Sequence, residues 1–194
     1  MLVAMTRYIA LLRGINVGGR TIKSAELAEV FRSLGYDSVK TVLASGNVVF
    51  EAEGEASARR AEALRSDIEK ALSDAFGYDA KVHVLDTDAL AAIVDAYPFP
   101  ERDGWHRYVV FLIGATGAPG STDRPADLDA VARHALELDV DPELEQLADG
   151  GPVLFWTVER GHTLDSVVGK GIGAGRGKLL TTNRNLNTLQ KLLR

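Results

Sequence analysis

From Arg7 to Leu85 the hydrophobic pattern changes period in the order strand, helix, strand, strand, helix, strand, and that order most restricts the fold. Arg7-Tyr-Ile-Ala-Leu-Leu-Arg13 is an apolar run held between two arginines and predicts a buried central strand. Gly14-Ile-Asn-Val-Gly-Gly19 breaks it. Ser24 is placed to cap a helix in which Leu27, Val30, Phe31 and Leu34 recur at helical spacing until Gly35 closes it. Two strands, Val39–Ala44 and Val48–Phe50, flank Ser45-Gly46-Asn47, where glycine and asparagine tolerate the positive φ of a tight hairpin. The longest helical stretch, Ser57–Phe76, carries the stripe Ala61, Leu64, Ile68, Leu72 and Ala75 and ends at Gly77. Lys81–Leu85 then alternates as a half-buried strand. The sum, β-α-β-β-α-β, is the split βαβ or ferredoxin-like unit, with two helices over one face of a four-stranded antiparallel sheet.

The second half begins in the same way. Thr87 opens a short helix bearing Leu90, Ile93 and Val94, which stops before Pro98, and Pro98–Gly104 reads as a linker. His106–Ile113 repeats the charged-then-apolar look of the first strand. A loop rich in Gly, Pro, Ser and Thr runs from Gly114 to Pro125, and Leu128, Val131, Ala132 and Leu136 mark a helix. A strand is expected near Leu138–Val140 or Leu144–Leu147, another at Val153–Val158, and then a helix rather than a closing strand. The predicted class is α+β: two tandem ferredoxin-like (βαββαβ-type) subdomains with antiparallel sheets, the second irregular, spanning residues 1–97 and 98–194.

Composition narrows the partners. The chain of 194 residues carries 27 acidic and 22 basic side chains, a formal net charge of -5. All acids lie between Glu26 and Asp165, which leaves two basic ends; a local cationic patch still attracts an anion because salt screens charges beyond about 8 Å. The absence of cysteine excludes disulfides, thiolate nucleophiles and cysteine-rich zinc sites. No apolar run approaches the ~20 residues of a membrane span. Met1–Thr6 is too short before the first charged residue to act as a signal peptide, so a cytoplasmic protein is expected. His83, His106, His134 and His162 show no metal-binding spacing, and no metal or cofactor is expected. His162, with Asp165 nearby, is the one acid–base candidate, and whether the chain is an enzyme stays open.

Three blocks carry candidate chemistry. Gly14–Gly19 is either a tight crossover needing positive φ or a backbone cradle for an anion, with Arg13 and Asn16 adding donors beside Gly18 and Gly19. It matches neither the dinucleotide fingerprint nor the Walker loop. Gly169–Lys178 alternates glycine with Lys170, Arg176 and Lys178 and reads as a floppy loop or as a lid over an anion. Thr181–Thr188 is expected to open the last helix, capped by a threonine or Asn183, with Arg184 and Asn185 among its polar donors. Together with Asn47, these residues predict a small-anion site between the halves. The alternatives are an RNA-binding module, which needs exposed sheet aromatics, and a homodimerising interaction protein.

Tyr8–Gly19 closely resembles the opening of domain-of-unknown-function family 1697, an uncharacterised bacterial family. Ser45–Phe50 is similar to that family's second block, and Asn183–Leu192 to its closing block, with Leu186 where the family pattern carries a tryptophan. The resemblance spans nearly the whole chain; it implies an α+β fold with ferredoxin-like parts and implies no activity.

Overall fold

The computed structural model describes residues 4–15, 21–121, 123–172 and 180–194. The chain divides into two compact units, Met1–Leu90 and Ala91–Arg194.

The first unit holds β1 (Met5–Leu12), α1 (Ser24–Ser33), β2 (Asp37–Val42), β3 (Asn47–Glu53), α2 (Ala58–Phe76) and β4 (Val82–Asp86); α3 (Thr87–Asp95) begins in it and crosses the boundary. The sheet order is β2-β3-β1-β4 and every pairing is antiparallel. Helix α2 forms because Ser57 accepts a hydrogen bond from the Arg60 backbone N–H at 3.1 Å. It stops because Gly77 takes φ 66° and returns its N–H to the Ser73 carbonyl. Its stripe Leu64, Ile68 and Leu72 packs with Phe31 of α1 onto Tyr8, Phe50 and Val82 of the sheet. Truncating one such buried aliphatic to alanine typically costs about 2–5 kcal/mol. Gly46 shows a real steric demand: its φ is 75°, and a Cβ there would lie 2.7 Å from Ile15 Cδ1.

The second unit contains β5 (Trp105–Leu112), α4 (Ala126–Leu136), β6 (Glu145–Asp149), β7 (Val153–Glu159), α5 (Val167–Ile172), β8 (Thr181–Asn185) and α6 (Leu186–Leu192). Its sheet order, β6-β7-β5-β8, repeats that of the first. Leu128, Ala132 and Ala135 of α4 pack on Val110, Leu112, Leu154 and Trp156. Two polar clasps complete it. Glu145, 2% exposed, accepts from Trp156 Nε1 at 3.1 Å and from the backbone N–H groups of Val167 and Val168, so one carboxylate joins β6, β7 and the start of α5. Arg124 donates to both oxygens of Asp149, to Asp129 and to the Gly151 carbonyl, which fixes the Gly114–Pro125 loop against the β6–β7 turn.

The ending of this unit corrects the sequence reading. Thr181–Asn185 is a closing strand that pairs with β5, from Leu112↔Thr181 to Tyr108↔Asn185, and not the first turn of a helix. Threonine is β-branched and asparagine is a poor helix former, so the run resists a helix, and pairing with the free edge of β5 makes it a strand. The cap moves accordingly to Asn185, whose Oδ1 accepts from the Asn187 N–H at 2.9 Å. The strand sought between Leu138 and Leu147 starts at Glu145, while Leu138 and Val140 pack against the core from the segment after α4.

The two units also share their register. Tyr8 stands opposite Phe50 and Asp86, and Tyr108 stands opposite Trp156 and Asn185. The ring pairs stack in both, at 5.9 and 5.1 Å. Gly54 N–H bonds the Ala4 carbonyl as Arg160 N–H bonds that of Gly104. The last residue of each closing strand caps the next helix, Asp86 through Ala89 N–H and Asn185 through Asn187 N–H.

Candidate functional site

In the first unit, Leu11 pairs with Asn47, so Arg13 and Asn47 lie at the same end of the sheet. Asn47 is fully buried and donates Nδ2 to the Val42 carbonyl at 2.8 Å and to Ser45 Oγ at 2.9 Å, which closes the β2–β3 turn. Arg13 is half-buried; its backbone N–H bonds the Lys81 carbonyl, and desolvation lowers its guanidinium pKa from the ordinary value. Asn16, Gly18, Gly19 and Arg176 lie outside the described residues.

In the second unit, Lys170 is exposed in the last turn of α5. Arg184 is 7% exposed and donates Nη1 to Thr182 Oγ1 and to the Asn183 carbonyl, both at 2.8 Å. Desolvation pushes its pKa down to about 10, so it remains cationic at neutral pH. Arg184 pairs with Val109 and Asn185 with Tyr108. Consecutive strand residues point to opposite faces of a sheet, so these two expected partners serve different surroundings.

Asn185 instead belongs to a polar cleft of about 70 Å³ at the end of the sheet where β5 begins and β8 ends. Arg102, Arg107 and Arg160 line it with Asn185 and Asn187; Glu101 and Asp103 supply the acids, Trp105 and His106 the rings. Strand pairing assembles these groups: Trp105 opposes Glu159, and the Arg160 N–H bonds the Gly104 carbonyl at 2.7 Å. The Arg102 guanidinium lies 4.8 Å from the Trp105 ring centroid, a cation–π contact that holds it over the ring. Arg107 Nη2 is 3.0 Å from Glu101, whose side chain is 78% exposed and therefore contributes little to holding that pair together. Three guanidiniums against two carboxylates make the cleft electropositive, and its amides and guanidiniums can hydrogen-bond one oxyanion from several sides.

The remaining candidates separate. His162 Nδ1 is 3.6 Å from Asp165 and Nε2 is 3.9 Å from Glu159, both too long for hydrogen bonds. Tyr8 and Trp156 are buried, while Trp105 is partly exposed at the cleft. Among the described residues, no group of three or more His, Cys, Asp or Glu side chains is placed to hold a metal ion.

A family model described as "Protein of unknown function (DUF1697)" matches residues 5–137. The chain belongs to this DUF1697 family. A solved structure similar to this DUF1697 chain is the conserved bacterial protein SP0830 from Streptococcus pneumoniae, 23% identical, covering 98% of this chain and 100% of its own, with a TM-score of 0.76; that likeness concerns the fold. A second, an unknown protein from Galdieria sulphuraria, is 10% identical over 94% of this chain and 98% of its own, with a TM-score of 0.27. No curated protein matches. No described helix of the DUF1697 chain is long and apolar enough to cross a membrane.

Sequence reasoning singled out Asn187 as a polar donor beside Asn185 but missed Arg102, Arg107 and Arg160 as parts of one site. Arg107 was visible only as the second residue of a charged-then-apolar run. Arg160 joins it through a β5–β7 pairing between positions far apart in sequence.

Proposed function

We propose that this DUF1697 protein, built of two ferredoxin-like modules, binds a small anionic metabolite through the cleft of its second unit. The observation that carries the reading is the convergence of Arg102, Arg107 and Arg160 with two asparagines on one small polar space. A cleft of about 70 Å³ has room for an oxyanion group, with the rest of the ligand outside. Each charge-assisted hydrogen bond contributes roughly 1.5–3 kcal/mol, and three or four less ordering costs reach about 8 kcal/mol, a micromolar Kd.

The RNA-binding alternative needs aromatics exposed on the sheet. Tyr8 and Phe50 lie beneath the helices of the first unit, and Trp156, with Tyr108 stacked against it, lies beneath those of the second. That placement argues for the small anion.

Thermal-shift screening with phosphorylated and carboxylated metabolites tests the reading. A ligand at about 100 times its Kd should stabilise the fold by about 2.7 kcal/mol, a rise in Tm of about 5–10 °C for a chain of this size. The shift should shrink with added salt and fall away in Arg107→Gln. A stabilising anion that is indifferent to Arg107→Gln would place binding elsewhere.

A further inference from the structure

We infer that Asn185 sets the charge preference of this cleft, and that its neutral carboxamide, in a position where the first unit carries a carboxylate, is what admits an oxyanion. The inference rests on the anion-binding reading above. Its independent support is the repeated register: Asp86 stands opposite Tyr8 and Asn185 opposite Tyr108, each at the end of its closing strand.

Both residues perform the same structural task. Asp86 Oδ1 caps α3 through the Ala89 N–H and Asn185 Oδ1 caps α6 through the Asn187 N–H, each at 2.9 Å. Aspartate and asparagine rank equally as caps, so capping does not choose between them. They differ in charge and in donors. With its oxygen engaged in the cap, Asn185 has two amide N–H donors to offer, whereas an aspartate has none.

Neighbouring positions differ in the same sense. Where the second unit has Trp105 and Arg160, the first has Met5 and Gly54, while Arg7 and Arg107 correspond. That end of the second sheet carries rings and cations that the first lacks, and beside Glu101 and Asp103 the position that holds a carboxylate in the first unit, Asp86, is here an amide. A carboxylate at 185 would pair with the cleft guanidiniums and compete with any incoming anion.

The test uses the full chain, with inorganic phosphate and acetate as separate probes in calorimetric titrations of wild type, Asn185→Asp, Asn185→Ser and Asp86→Asn. Phosphate and acetate distinguish the two oxyanion chemistries. Asn185→Asp should weaken binding about tenfold at unchanged Tm. Asn185→Ser, neutral and still a cap, and Asp86→Asn should bind within a few-fold of wild type. If Asn185→Asp binds as well as wild type, or Asn185→Ser loses as much as Asn185→Asp, the inference is overturned while the cleft reading stands. If wild type takes up neither anion, both fall.

Discussion

A carboxylate as deeply buried as Glu145 survives only where donors meet it, and it is met by an indole N–H and two backbone N–H groups. Glu145→Ala removes the acceptor and leaves those donors buried without it. The expected loss is about 3 kcal/mol in urea unfolding, with Glu145→Gln less damaging because its amide oxygen still accepts. This role is not legible in the sequence, where Glu145 falls in a segment read only as one of two places for a strand and its partners lie on other elements. Asn47 shows the converse. Its place in a tight hairpin was readable, because an asparagine beside glycine is a local turn signal, and its side chain bonds within that turn.

Elements whose apolar residues keep one period were legible from the sequence. Helix α2 begins beside Ser57 and ends at Gly77, with Leu64, Ile68 and Leu72 buried as its stripe indicates. Strand β8 was not legible, because its extended state depends on pairing with β5, and a segment of threonine and asparagine has little hydrophobic period to read. The β2–β3 turn holds a local conflict. Leu43 adopts φ 59° while 52% exposed, so it bears left-handed strain with little burial to offset it. Leu43→Asn should therefore stabilise the chain by about 0.5–1 kcal/mol, read as a higher urea midpoint. An unchanged or lower midpoint would show that Leu43 makes contacts that outweigh the strain.

Across the molecule, each unit also carries a tyrosine whose ionisation burial opposes. Desolvation, reinforced by Asp67, pushes Tyr36 up to about 12, and desolvation raises Tyr97, whose hydroxyl donates to the Trp156 carbonyl at 2.7 Å. An unfolded tyrosine ionises near pH 10 while folded Tyr36 stays neutral, so its contribution is complete below pH 10 and disappears between about pH 10 and 12. Urea midpoints along that range should fall, and Tyr36→Phe should flatten the fall. At this scale the repeated strand-helix order and the two basic ends were readable, because both are written in contiguous residues. The cleft was not, because its arginines come from the linker before β5, from β5 itself and from the turn after β7. Arg124 has one more consequence. Gly114–Pro125 has the composition of slack chain, yet its sole basic residue is engaged by two aspartates and a carbonyl. One guanidinium therefore moors to the β6–β7 turn a stretch that its composition alone would leave adrift.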